Sequence, residues 1–251
     1  ILVHQQTDAV QNGIYVVDEA AVEEGNETIF QSTDIDDPNI ESQAVQDGPD
    51  IQHHAVIDRD NGRLAYAIKQ DGTWVVETVD NIALDSIDLA VTSGGEPHII
   101  AQSGGTNYHY VKSGGSWSSM SGFLSTTLYN PSIELDSSGN PYVSGSEGSL
   151  GNTLGVVSKP SSTWGQEMVD ANAQTQSSDI VLDSADNVHV AYRDDSTTSG
   201  KYAFNDGSWT TEVYSDSNRD DGLNCGIDVG PSDNPHISHY GEYAIWHSYN
   251  D

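Results

Sequence analysis

The chain has 251 residues, 35% of them hydrophobic, and carries 39 Asp and Glu against 8 Lys and Arg, a formal net charge of -31 at pH 7. That balance argues against nucleic acid and anionic membrane surfaces as partners, since both are held through Lys and Arg. No apolar run reaches the roughly 20 residues of a helical membrane span, so direct membrane insertion is not expected.

In chain order, residues 1–36 read as three short strands, ILVHQQTD, GIYVVDEA and ETIFQST. A start at Ile1, without Met and already in a strand, is expected of a chain that has lost a signal peptide or belongs to a longer protein. Fuller units follow near 42–80, 84–120, 130–170 and 178–215, and 224–251 supplies three more strands. The unit at 178–215 shows the pattern in DIVLD, VHVAYRD, KYAFND and TTEVYS. These segments alternate in polarity, favour β-branched and aromatic residues, and are separated by Gly, Asn, Asp and Ser turns. Cys225 is the single cysteine, so no intramolecular disulfide is available; inside a strand it reads as a structural thiol.

Two landmarks give the repeat its period. Trp74, Trp117, Trp164 and Trp209 follow the turns DGTW, GGSW, SSTW and DGSW at intervals of 43, 47 and 45 residues. His54, His98, Tyr142, His189 and His236 open a strand at intervals of 44, 44, 47 and 47. A period near 45 with four strands per unit predicts an all-β protein, a β-propeller of four-stranded blades with the tryptophans as structural residues between blades. A single domain of six blades with incomplete terminal blades is the first expectation, and five closed blades the second. A ring must close, or borrow strands, to hide its edges.

The phrase IELDSSGNPYVS returns as IVLDSADNVHVAY, IDVGPSDNPHIS and LAVTSGGEPHII. It resembles the LDSxGNPHISY…GGSW repeats of secreted bacterial and archaeal propellers, loosely related to the BNR or Asp-box repeats of sialidases. The resemblance implies the fold and an extracellular, cell-surface or virion-surface setting, and hardly constrains function. The Asp-box S-x-D-x-G-x-T-W is only approximated, because KQDGTW has one residue too few between Asp71 and Thr73. The acidic, Lys-poor composition also resembles proteins of extreme halophiles, where about 1 M salt shortens the Debye length to about 3 Å and screens carboxylate repulsion. A calcium-loaded or disordered acidic chain is the alternative, and the regular recurrence of Trp, Tyr, Ile and Val speaks against disorder.

In propellers, ligands usually meet the loops joining strands two and three and those joining successive blades. Here these are 58–62, 102–107, 146–152 and 193–200, with 34–42, 122–130, 171–178 and 216–224. They vary while the strands repeat, as suits binding loops on a constant scaffold. The candidate ligand-binding residues are Asp58, Asp60, Asn107, Arg193, Asp194 and Asp195, with His98, Tyr142, His189 and His236 on the strands. A lectin-like site stacks an aromatic face on a sugar ring while Asp or Asn accepts its hydroxyls, although the same aromatics also serve as blade core. DRDNG opens like a calcium loop at Asp58 and Asp60, but lacks the Asp or Asn of the fifth position and the Glu of the twelfth. Calcium is thus weakly supported as a cofactor, and no metal site is expected. Equivalent histidines on different blades lie too far apart to share one ion. Asn26, in NET, matches a glycosylation acceptor.

Neither a G-x-S-x-G elbow nor H-E-x-x-H is present. A sialidase-type site needs three converging arginines, and the chain has only Arg59, Arg63, Arg193 and Arg219, the first two in one blade. The expectation is therefore a non-catalytic recognition or adhesion module of a halophilic surface or viral spike protein, binding a glycan or a cell-surface protein. Its rivals are a secreted sialidase-like or lyase-type enzyme, and an architectural subunit of a surface layer, pilus or virion that docks neighbouring chains.

Overall fold

The computed structural model describes residues 40–249, apart from 48–50, 60, 124–126, 149–152, 160–162, 176, 216–221 and 242–243. Four sheets have four strands each. They comprise β1 (Ile40–Asp47), β2 (Ile51–Asp58), β3 (Arg63–Gln70) and β4 (Thr73–Asp80); β5 (Ser86–Val91), β6 (Pro97–Ser103), β7 (Thr106–Ser113) and β8 (Ser116–Ser121); β9 (Leu128–Leu135), β10 (Pro141–Glu147), β11 (Thr153–Ser158) and β12 (Gly165–Asp170); and β13 (Ser178–Leu182), β14 (Val188–Asp194), β15 (Ser199–Asn205) and β16 (Trp209–Val213). A fifth sheet holds β17 (Leu223–Val229), β18 (Pro235–Gly241) and β19 (Ala244–Tyr249).

Every sheet is an antiparallel meander, hydrogen-bonded in chain order. The first strands β1, β5, β9, β13 and β17 pack each against the next, which arranges the sheets as the blades of a β-propeller. The strands expected at 1–36 and the candidate glycosylation acceptor Asn26 lie outside the described residues.

One core cluster fills each space between neighbouring blades. Ala55, Ile57, Leu64 and Tyr66 meet Ile87, Leu89, Ile99 and Ala101 between the first two. Ile100 faces the other way, onto Ile133, Val143 and Val157 of the third. Leu154 and Val156 meet Ile180, Val190 and Tyr192, and Val181 and Ala191 meet Ile227 and Ile237. Successive residues of a strand point to opposite faces, so a middle strand packed on both sides is buried almost throughout. β6 and β14 are, and the centre of each is an apolar stretch, Ile99–Ala101 and Val190–Tyr192. The outer strands β8 and β16 are mostly exposed.

The recurring phrase encodes the turn between strands one and two. In the third blade Asp136 N donates to Asn140 O and Gly139 N to Asp136 O, and the same two bonds recur at Thr92–Glu96, Asp183–Asn187 and Gly230–Asn234. Each turn needs a left-handed residue, supplied by Gly95 and Gly139 at φ +79°, Asp186 at +62° and Asp233 at +60°. Asp136 also accepts from Ser138 N, Asn140 N and Asn140 Nδ2, which explains the D…N spacing. Pro97, Pro141 and Pro235 open the second strand, where the missing N–H costs no ladder bond.

Three of the four tryptophans that mark the repeat seat on the blade before their own. Trp117 packs edge-on against Tyr66 at 5.2 Å, and its Nε1 donates to Glu77 at 2.9 Å. Trp164 lies 5.4 Å from His109, and Trp209 Nε1 donates to Glu167 at 2.5 Å. Trp74, on the first described blade, is 40% exposed.

Candidate functional site

At the loop end of the blades, the charged candidates turn inward. Asp58 accepts from Asn61 N at 3.0 Å, Asn61 Nδ2 at 2.8 Å and Arg63 Nε at 2.7 Å. Burial raises its pKa, but these bonds outweigh burial and hold it below the usual carboxylate value. The turn's own donors thus occupy the group that a calcium loop would offer, and Asp60 lies outside the described residues. Asn107 is buried and mimics a peptide group toward the next blade, with Nδ2 donating to Leu128 O and Leu128 N to Oδ1, both at 2.8 Å.

The loop 193–200 is built around a buried charge network. Arg193 Nε donates to Asp195. Asp194 accepts from Gln174 N at 3.1 Å, Ser196 Oγ at 2.6 Å and Lys201 Nζ at 2.7 Å. Lys201 also reaches Asp170 at 3.1 Å, which accepts from Tyr192 OH at 2.8 Å. Burial pushes the Asp194 pKa up, yet the lysine and serine bonds outweigh it and hold the carboxyl well below its ordinary value. The structure brings Arg193, Asp194 and Asp195 together and spends them on fixing the loop that joins the third and fourth blades. Arg59 and Arg63 stand on the first blade, three blades away, and Arg219 lies outside the described residues. Among the described residues the arginines do not converge, and no three His, Cys, Asp or Glu form a metal-holding group.

That end exposes the ring of Tyr129 and several amide and hydroxyl side chains, together with the charged Arg59 and Asp85 where the first two blades join. Tyr129, 39% exposed, lies over Gly148, where an added Cβ would stand 2.3 Å from Tyr129 Cε2. Asn130, Ser196, Thr197 and Thr198 are exposed beside these loops. Tyr129 escaped the sequence analysis, although a large ring in an otherwise small-residue connection, GFLSTTLYN, was the available signal.

The strand candidates are bound into their own blades. Tyr202 OH lies 2.6 Å from His189 Nδ1, and His98 Nδ1 lies 3.2 Å from His109 Nε2. His236 stacks on His247 at 5.3 Å. Burial lowers both His98 and His109, the latter to about 3, so that pair is neutral at ordinary pH. Tyr142 is half-buried on β10, packed against the core shared with the fourth blade. In the first blade the structural counterpart is His53 rather than His54, because His53 Nδ1 lies 2.5 Å from Tyr66 OH in the same relation. Sequence spacing alone could not choose between adjacent histidines.

Along the inner strands runs a line of carboxylates. Asp88 on β5 accepts from Ile133 N at 2.8 Å and Ser132 Oγ at 2.9 Å. Asp179 on β13 lies 2.8 Å from the same Ser132 Oγ and accepts from Ile227 N at 2.8 Å. Each carboxylate ties its own blade to a neighbour. Burial pushes Asp88 up to about 7, with Asp179 adding repulsion, and burial raises Asp179 and Glu134 as well. Cys225, beside Asp179, is pushed up to about 12, chiefly by burial, and so is an inert thiol. At the turn end the axis opens into a cavity of about 670 Å³. Its Asp136, Asp183 and Asp186 already accept the turns' own donors.

No family model and no curated protein matches the chain. Solved structures do resemble it in fold. A protein of unknown function from Dyadobacter fermentans has 12% identity and a TM-score of 0.58, over 85% of this chain and 88% of that one. The six-bladed β-propeller lectin of the fungus Aleuria aurantia, described as recognising fucose, has 14% identity and a TM-score of 0.61, over 84% and 77%. An exo-β-1,3-galactanase from Phanerochaete chrysosporium has 9% identity and a TM-score of 0.51, over 83% and 59%. The shared property is the propeller.

Proposed function

We propose that this propeller is a non-catalytic recognition module that binds glycans through the loop end of its blades. One observation carries the proposal: the loop end exposes the ring of Tyr129 beside amide and hydroxyl side chains, while Asp58, Arg63, Arg193, Asp194 and Lys201 are consumed by one another and by the turns. An exposed ring flanked by neutral hydrogen-bonding groups suits the apolar face and hydroxyls of a neutral sugar better than a carboxylate or phosphate. The lectin sharing the fold uses it to recognise fucose, which supports the class of ligand without naming the sugar here. The setting we propose is the surface of a halophilic cell or its virus, in keeping with the net charge of -31. The proposed ring has six blades, with residues 1–36 supplying strands of one.

A glycan array in about 2–3 M salt, where surface repulsion is screened, tests this. Selective binding that falls at least tenfold in Tyr129→Ala, with an unchanged unfolding midpoint, is the expected result. A blank array from folded protein sinks the glycan proposal and favours assembly with neighbouring chains; hydrolysis of an arrayed glycan favours the enzyme.

A further inference from the structure

At two of the described interfaces the contact between a tryptophan and the blade before it is specific down to the atom, whereas Trp164 Nε1 at a third has no hydrogen-bond partner. A lysine and a tryptophan paired across strands three and four, Lys112 and Trp117, both donate to a single oxygen, Glu77 Oε1. The Lys112 ammonium also lies 5.9 Å from the Trp117 ring centroid. In the fourth blade, Asn205 and Trp209 take the same two places and meet Glu167 Oε2 at 3.5 and 2.5 Å. The acceptor comes each time from the outermost strand of the preceding blade, three residues before the aspartate that ends it, Asp80 or Asp170.

The first described blade repeats the donor half of this arrangement. Lys69 and Trp74 are paired across β3 and β4, with the ammonium 5.7 Å from the ring centroid. Trp74 is 40% exposed, with its ring edge-on to His54 of the same blade at 5.0 Å. The register of the upstream sequence matches that of the interface between the first two described blades, whereas the step from Asp170 to Ser178 is eight residues. Gln31 precedes Asp34 by three residues, as Glu77 precedes Asp80. From Asp34 to the inner strand beginning at Ile40 is six residues, as from Asp80 to Ser86. Gln31 lies 43 residues before Trp74, against 40 from Glu77 to Trp117 and 42 from Glu167 to Trp209.

We infer that the exposed face around Trp74 is the docking surface for residues 27–34 of the same chain, with the Gln31 side-chain oxygen accepting from Trp74 Nε1 and Lys69 Nζ. Only one oxygen of Glu77 is used by its two donors, so an amide carbonyl fills the role of the carboxylate. The inference rests on the six-blade proposal and goes beyond it by naming the contact.

The test is the indole N–H signal of Trp74 in the ¹⁵N spectrum of the full chain at high salt, assigned through its disappearance in Trp74→Phe. The expected result is a nuclear Overhauser contact to the Gln31 side chain, a shift of the Trp74 signal alone in Gln31→Ala, and its restoration in Gln31→Glu. Contacts to other residues of 1–36, with no response to Gln31→Ala, overturn the Gln31 pairing and leave six blades standing. No contact to any residue of 1–36, or a shift that depends on protein concentration as a second copy would cause, overturns both.

Discussion

Asp88 and Asp179 approach one hydroxyl, Ser132 Oγ, at 2.9 and 2.8 Å. A hydroxyl has one proton, so the second carboxylate faces a lone pair unless it is itself protonated. The axis therefore holds one proton more than two ionised carboxylates, mainly on Asp88, whose pKa burial raises from 3.8 to about 7. A raised carboxyl stabilises the fold fully below its unfolded value, and that contribution is lost as pH rises through about 7. At 1.36 kcal/mol per pH decade the loss is about 4 kcal/mol, shared with Asp179 and Glu134, which face the same space. Asp58, Asp170, Asp183 and Asp194 have lowered values, so their contribution is complete above about pH 4 and disappears only below it. Burial holds His54, His98 and His109 low, so they add stability as pH rises toward about 6.5 and oppose the axis over the same interval. The axis is therefore read as the difference between the parent and Asp88→Asn in urea unfolding at about 2 M salt, which screens the surface charge. From pH 4 to 8 the parent should lose stability relative to the variant, which is the more stable of the two above pH 8. A difference that does not change with pH refutes the shared proton.

Two further outcomes follow from the loops and turns. Asp186 holds a left-handed backbone and accepts from Ser137 N at 2.8 Å and Ser137 Oγ at 2.6 Å on the preceding blade. Asp186→Ala loses both bonds and keeps the strain, costing about 2–3 kcal/mol, whereas Asp186→Gly relieves the strain and costs about 1–2 kcal/mol; chemical denaturation ranks the two. Gly148→Ala places a methyl against the Tyr129 ring and should weaken glycan binding on the array while shifting the unfolding midpoint little, because Gly148 is at the surface.

The repeat was legible because the copies share a turn with fixed backbone demands: a left-handed residue in all four, a side-chain acceptor five residues before the second strand at Thr92, Asp136 and Asp183, and a strand-opening proline at Pro97, Pro141 and Pro235. Trp117, Trp164 and Trp209 announced inter-blade packing through spacing alone. The site was less legible. Asp58, Arg193, Asp194 and Asp195 look like ligand groups in the sequence, and only the three-dimensional placement of Arg63, Gln174 and Lys201 shows that they are already engaged. Asn107 likewise reads as a loop amide, whereas the chain 21 residues on supplies both of its partners at Leu128. Among 39 acidic residues, Asp88 and Asp179 carry no local mark that separates axial carboxylates from surface ones.

The interlocked turns also bear on how such a ring is made. Ser137 waits for Asp186, and Ser184 for Asp233, each 49 residues downstream. At a synthesis rate of about 5–20 residues per second, each hairpin spends several seconds without its latch while the following blade emerges. The Gly139 turn has no side chain to reach back toward the second blade, so latching begins with Asp186. Growth then runs one way along this part of the chain, the fourth described blade completing the third and the fifth completing the fourth.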